Sequence, residues 1–413
     1  MKNGWTGGQY SIFRVALGVY LMVHCLHLIP WAPEMFSNVG VLADGSLSPF
    51  LNQFPNILAL WDGPVFVTGF LMFAVILAFL FAAGWHDRWA AILLWYVLAC
   101  LFGRNPLILN PGLPYVGLML LIHAMLPIAP YGSWIARGRV DPDGGWKMHP
   151  SYFAVAWILM AVGYTYSGYT KLMSPSWLDG SAFSRLLENP LARPGFIREF
   201  ALQLPDWFLQ TTTYGALVLE LAFAPLSLLR KIRPWLWLAM LLMHLSLIVL
   251  IDFADLSLGM VLLHLFTFNP DWLRPRLAPK AEILFFDGSC GLCHRFIRTV
   301  LAEERNPIPI RIAPLHGEAF AQEISPDQGK LLPDSLILKT HDGRLLMRTQ
   351  AVCHLLHRFG GLWRVLACLL QIIPRVIRDA GYNGLARIRY RLFKRPADVC
   401  PLLPAHLRNR FEM

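Results

Sequence analysis

Ile283-Leu284-Phe285-Phe286-Asp287-Gly288-Ser289-Cys290-Gly291-Leu292-Cys293-His294 is the stretch on which the reading of this chain turns. Four consecutive apolar residues, 283–286, have the length and character of a strand buried on both faces. Asp287-Gly288-Ser289 ends the run with turn chemistry, and a helical pattern follows from Cys290 to about Leu301. Strand, turn and helix place two cysteines, three apart, on one face of the first helical turn. The first stands where free backbone N–H groups and the helix dipole favour a thiolate. It can attack a disulfide, and the second can resolve the mixed disulfide. Cys290 and Cys293 are therefore the candidate catalytic pair, with Cys290 expected to attack from a lowered pKa.

Two other chemistries share these letters. Cys290-Gly291-Leu292-Cys293-His294 has the form of a c-type haem attachment, but a strand running directly into the motif suits a redox helix better. A half zinc site needs a second close pair, for which Cys353-His354 is the candidate.

Downstream of the motif, Ile308–Ile312 reads as a second strand. Asp334–Lys339 and Arg344–Met347 flank His341-Asp342-Gly343, a hairpin with Asp-Gly in its turn. Helices follow near 350–359 and 361–371. This order predicts a small α/β thioredoxin-like sheet. Pro333, before the third strand, is the candidate for a thioredoxin-style cis-proline.

Residues 282–413 resemble the DCC family of thiol-disulfide oxidoreductases. The resemblance runs through Asp287-Gly288-Ser289-Cys290-Gly291-Leu292-Cys293 and Arg311-Ile312-Ala313-Pro314-Leu315-His316-Gly317-Glu318. It continues in Tyr390-Arg391-Leu392-Phe393 and Arg410-Phe411. It implies protein-disulfide reductase activity, with Cys290 and Cys293 as the redox-active centre. Where the family has Ser-Asp-Ala after the hairpin, this chain has Thr349-Gln350-Ala351.

Upstream of the motif the chain changes character. Over all 413 residues, 56% are hydrophobic and 15% charged, against about a quarter charged in soluble domains, so a membrane class is favoured. Eight apolar stretches approach the length of a bilayer crossing: 9–31, 61–84, 88–104, 114–130, 151–171, 211–229, 234–251 and 255–269. The expected architecture is an α-helical polytopic membrane domain of about eight spans, residues 1–275, followed by the thioredoxin-like domain, residues 276–413. Arg14 interrupts the first apolar run, which argues against a cleavable signal.

Charge is unevenly placed. Residues 1–275 hold 15 Lys/Arg against 14 Asp/Glu; residues 276–413 hold 21 against 12. A basic domain beside a membrane suggests anionic headgroups as partners, and no nucleic-acid motif accompanies the charge. Three basic clusters fall on one side if all eight stretches cross: Arg137, Arg139 and Lys147; Arg230, Lys231 and Arg233; Arg274, Arg276 and Lys280. The expected location is a bacterial inner membrane, with the C-terminal domain cytoplasmic. Of seven cysteines, Cys25 and Cys100 read as small core hydrophobes, and Cys290, Cys293, Cys353, Cys368 and Cys400 lie in the basic third.

Residues 9–273 resemble the HTTM family, the membrane domain shared with vitamin K-dependent γ-glutamyl carboxylase. The resemblance lies in Ser11-Ile12-Phe13-Arg14 and in Tyr166-Ser167-Gly168-Tyr169-Thr170-Lys171-Leu172 followed by Trp177-Leu178-Asp179-Gly180. Glu220 and the stretch from His244 to Trp272 complete it. It implies a quinone or hydroquinone as lipophilic partner or cofactor and a role for Lys171 as a base in hydroquinone oxygenation, which makes Lys171 the third candidate catalytic residue. The bland reading of Lys171 is a snorkelling side chain. Glu220, within an apolar run, needs a partner, for which Lys171 and Arg14 are the candidates. His24, His27, His123, His244 and His264 could line a quinone site or hold haem b, although each alone is more often a packing residue. Asp252 and Asp255 read as a solvated turn. The favoured function is membrane-bound dithiol–disulfide exchange with a protein or small-molecule disulfide. The alternatives are a carboxylase-like, quinone-oxygenating enzyme and a non-catalytic redox-sensing scaffold.

Overall fold

A computed structural model describes residues 3–108, 110–315, 317–393 and 404–412. His316 and Cys400 lie outside the described residues. The chain divides into two compact units.

The first unit, residues 12–128 and 148–268 apart from the chain start, is helical. Its long helices are α1 (Gly7–Leu28), α2 (Pro64–Ala83), α3 (Asp87–Arg104), α4 (Gly112–Met125), α5 (Pro150–Lys171), α6 (Asp206–Leu221), α7 (Arg233–Leu250) and α8 (Ala254–Thr267). Each of the eight apolar stretches singled out above contains one of these helices, although residues 126–130 lie outside helix and 211–229 is broken after Leu221. Among the described residues, three helical stretches, Gly7–Phe36, Pro64–Ala83 and Arg233–Leu250, are long and apolar enough to cross a membrane. The boundaries follow local chemistry. Proline at the first position starts α2 and α5, where its missing N–H costs nothing. Gly84 ends α2 with φ +70°, a left-handed cap that a side chain resists.

Several buried polar side chains in this unit are paired across its elements. Arg14, with no exposed surface, faces Asp87 at 3.5 Å rather than Glu220, and His123 Nε2 lies 3.7 Å from the same carboxylate. Arg104 donates to the carbonyls of Leu42 (2.8 Å) and Ser37 (3.0 Å) and to Asp62 (3.1 Å), tying a loop to α3. The Tyr164 hydroxyl bridges His244 Nε2 (2.8 Å) and His264 Nδ1 (3.4 Å), joining α5, α7 and α8. These histidines therefore work as helix-packing residues. Cys25 and Cys100 are fully buried.

The second unit gathers three stretches, residues 3–11, 129–147 and 269–413. Its sheet has β1 (Ile283–Phe286), β2 (Arg311–Pro314), β3 (Ile337–Lys339) and β4 (Leu345–Met347), in the order β2-β1-β3-β4. β2 runs parallel to β1; β3 is antiparallel to both β1 and β4. The second strand starts three residues later than predicted. Pairing with β1 sets its register, Ile283 opposite Arg311, and Asn306 and Ile308 lie in the approach loop. Around the sheet lie α9 (Gly291–Glu303), α10 (Glu318–Glu323), α11 (Pro326–Leu331), α12 (Thr349–Phe359), α13 (Gly361–Ile372) and α14 (Arg375–Leu392). β1 is buried on both faces. Leu284 and Phe286 enter one core with Ile297, Leu338 and Leu355, while Ile283 and Phe285 enter another with Ala313 and Ile337. Residues 410–412 extend the sheet beside β2, with Glu412 N–H donating to Ile312 at 2.9 Å. No cis peptide bond occurs among the described residues, so Pro333 is trans, contrary to the thioredoxin-style expectation.

Charged groups hold this unit together. Glu282, 1% exposed, accepts from Arg358 (2.9 Å) and His354 (3.0 Å). Burial opposes its ionisation, but His354, Arg358 and His341 outweigh that and hold its carboxyl at about 2. Glu303, fully buried, accepts from Thr6, from Gly8 N–H (2.9 Å) and from the Trp363 indole (2.5 Å), anchoring residues 3–11 to α9 and α13. Burial pushes its carboxyl up.

Candidate functional site

β1 ends at Phe286, and the turn that follows is locked by one carboxylate. Asp287 Oδ1 accepts from the backbone N–H and the hydroxyl of Ser289, both at 2.8 Å. This Asx turn aims the chain into α9 with Cys290 as N-cap, at φ −100° and ψ 114°. Cys290 Sγ accepts from Cys293 N–H at 3.4 Å, so sulfur takes the place of the usual capping oxygen. Both cysteines are free thiols; Cys290 is completely buried and Cys293 partly exposed. Burial pushes the Cys293 thiol up, and its hydrogen bond with Cys290 and the Cys290 charge add to that rise.

His294 is turned back into the turn. Its Nε2 meets the Gly288 carbonyl at 2.9 Å, and its ring packs edge-on against Phe286. Cys353 Sγ accepts from Arg378 Nη1 at 3.2 Å, and His354 is engaged with Glu282. Cys353 and His354, the second pair that a zinc site would need, thus face different partners.

The sequence reading missed α14, which packs on α9. Its Arg389 donates from Nη2 to Asp287 Oδ2 (3.1 Å), Asp334 (2.9 Å) and the Tyr390 hydroxyl (2.9 Å), and the Tyr390 hydroxyl also donates to Asp287. Burial opposes Asp287 ionisation, yet Tyr390, Ser289 and Arg389 together hold its carboxyl below the ordinary range. Arg389 also lies near enough to Cys293 to favour a thiolate there, and Tyr382 lies within electrostatic reach of both sulfurs while accepting from Leu336 N–H at 3.0 Å. One carboxylate thus serves the turn through Oδ1 and α14 through Oδ2. The only sequence signal was the Tyr390-Arg391-Leu392-Phe393 segment; Arg389 itself carried none.

In the first unit, Lys171 ends α5. Its Nζ lies 2.5 Å from Glu220 Oε2 and 2.8 Å from Ser167 Oγ, and 5.0 Å from the centre of the Trp177 ring. The buried Glu220 therefore has its partner in Lys171. Elsewhere in this unit a cavity of about 1140 Å³ is lined mainly by apolar residues, including Phe36, Phe54, Trp95 and Leu98. Its polar end is organised by Asp255, which accepts from Tyr20 (2.7 Å), Asn110 (2.5 Å) and His24 Nδ1 (3.1 Å). Asp255 is therefore a structured acceptor rather than part of a solvated turn; Asp252 is exposed and faces Arg193 at 3.4 Å.

The C-terminal unit is thus a small mixed α/β domain with two free thiols at the start of one helix. The comparisons agree. Residues 284–395 match the DCC1-like thiol-disulfide oxidoreductase family. The chain is 29% identical over 137 residues to a chloroplastic DCC family protein of Arabidopsis thaliana, covering 32% of this chain and 78% of that protein. It is 26% identical over 134 residues to the uncharacterized protein YuxK of Bacillus subtilis, covering 32% of this chain and 93% of YuxK. No solved structure matches the chain. The C-terminal third thus carries a DCC1-like thiol-disulfide oxidoreductase domain, and a redox role is supported.

Proposed function

We propose that this chain is a membrane-bound thiol-disulfide oxidoreductase whose working pair is Cys290 and Cys293. The observation that carries the reading is the sulfur N-cap: Cys290 Sγ takes the Cys293 N–H at the start of α9, while burial raises the Cys293 thiol. Cys290 as thiolate attacks a substrate disulfide, forming a Cys290–substrate bond and expelling one substrate thiolate. Cys293 gives up its proton and attacks Cys290, releasing the second substrate thiolate. The substrate gains two electrons and the pair ends as a disulfide. Engagement of His294 Nε2 by the Gly288 carbonyl supports this reading over haem attachment, which needs that imidazole for iron.

The first unit is proposed as an eight-span membrane domain that receives a lipophilic partner such as a quinone, a reading supported by its apolar cavity. Lys171 is assigned to the ion pair with Glu220; the base role of the carboxylase-like alternative competes with that assignment. The basic clusters support a cytoplasmic C-terminal domain.

The test uses the reduced full chain and a peptide disulfide. Cys293→Ser accumulates a mixed disulfide on Cys290, and Cys290→Ser accumulates none. A mixed disulfide trapped on Cys293 in Cys290→Ser, with none in Cys293→Ser, reverses the roles; none in either variant removes the function.

A further inference from the structure

The corner between α13 and α14 leaves apolar side chains in the open. Leu366, Leu369, Ile372, Ile373, Val376 and Ile377 are exposed, with Ile372 at 77% and Val376 at 81%. The apolar stripe of α13 is wider than its contact with the domain. Leu362 and Ala367 are buried, and Trp363 and Leu370 pack against the core, while Leu366, Leu369 and Ile372 carry the stripe out into the open. A helix needs only the apolar face that folds onto its domain; the exposed remainder points to another apolar phase.

Charge identifies that phase. Residues 361–393 contain six arginines and one acidic residue, Asp379. Asp379 is used by Arg375 at 3.3 Å and by Thr349. Arg387 and Arg391 are exposed and form no ion pair among the described residues. At about 100° per residue, positions 376, 387 and 391 fall within about 60° of one another on α14. An exposed apolar tip and free guanidinium groups therefore share one side. A second copy of the chain would set arginine against arginine, whereas an anionic phospholipid surface satisfies both features.

We propose that the α13–α14 corner docks on an anionic bilayer. The 366–377 tip enters the headgroup–acyl boundary, and Arg387 and Arg391 contact lipid phosphates. This rests on the reading of the first unit as membrane-embedded. The docking is separate from the dithiol chemistry, since Arg389 faces inward to Asp287.

The test is made on the full chain in nanodiscs. An environment-sensitive dye is placed on Ile372→Cys, with Cys368 and Cys400 replaced by serine and the dithiol oxidised. In discs containing phosphatidylglycerol, we expect blue-shifted emission that spin-labelled acyl chains quench. Arg387→Gln and Arg391→Gln should each lower the inserted-to-exposed ratio about fivefold, the contribution of one basic residue near such a surface. Val376→Asp should also lower it, while alkylation of the reduced dithiol stays unchanged. Water-like emission in every lipid overturns the proposal. So does blue emission that lipid quenchers leave intact, which would report a protein partner or a second copy. Quenching that ignores the anionic lipid fraction overturns the arginine contacts. Failure of the chain to incorporate into discs overturns the membrane reading and the docking with it. Water-like emission from incorporated chain leaves the membrane reading standing.

Discussion

Asp287→Asn should unlatch α14 from the dithiol. The amide oxygen can still accept from Ser289, whose bonds to Oδ1 are 2.8 Å long. On the Oδ2 side the charge disappears, and an NH2 group meets Arg389 Nη2, which now sits 3.1 Å from oxygen. The two side chains are 5% and 13% exposed, so solvent screens this pair weakly. A charge-assisted hydrogen bond in such a setting contributes about 2 kcal/mol. Arg389 keeps Asp334 at 2.9 Å, but that carboxylate is 64% exposed and adds little. A loss of about 2 kcal/mol raises the population with α14 lifted roughly 30-fold. Because Cys290 is completely buried, a reagent reaches it through such openings. Its alkylation rate should therefore rise by about 30-fold. The measurement is iodoacetamide labelling of the reduced chain in a Cys293→Ser background, read by peptide mass spectrometry. Rates are normalised to the thiolate fraction from absorbance at about 240 nm, so that a change in acidity is not mistaken for opening. Asp334→Asn, the exposed counterpart, should change the rate by no more than about threefold. Equal normalised rates in Asp287→Asn and the parent would show that α14 does not gate the thiol.

Other expectations follow from the same geometry. Glu282 is held at about 2 against an ordinary 4.5, so its ion pairs stabilise the second unit by roughly 3 kcal/mol above pH 4.5, and that contribution is lost as pH falls towards 2; Glu282→Gln should flatten the acid limb of stability measured by hydrogen exchange in β1. Removing Glu303 by Glu303→Ala leaves the Gly8 N–H and the Trp363 indole without their acceptor and should cost about 3 kcal/mol, seen as faster exchange in residues 3–11. Lys171→Ala isolates the buried Glu220 carboxylate and should destabilise the chain by about 3 kcal/mol in detergent melts, while Lys171→Arg melts near the parent; a normal melt for the alanine variant would refute the ion-pair role. A C-terminal green fluorescent protein fusion should be bright and an alkaline phosphatase fusion inactive, and the reverse pattern would require an odd number of crossings.

Local chemistry was enough for a good part of this protein. Four apolar residues followed by Asp-Gly-Ser mark β1 and the turn, because a doubly buried strand and an Asx turn are written in adjacent positions. The Asp342-Gly343 hairpin, the helices near 350–359 and 361–371, and the apolar helices of the first unit were legible for the same reason. Helix α14 was not, since its arginines and the glycines 381 and 384 dilute the apolar period on which such a reading depends. Partners were beyond reach wherever they are distant in sequence. Glu220 had two plausible cations, and only packing put Lys171 beside it and Arg14 beside Asp87. The sequence showed two thiols on one helical turn. The tertiary structure alone decided that Cys290 is sealed, that Asp287 holds both the turn and α14, and that residues 3–11 and 129–147 fold with the C-terminal sheet. The physical reason is that spacing along a chain encodes local periodicity, whereas burial and ion pairing depend on which remote segments the whole fold brings within a few ångströms.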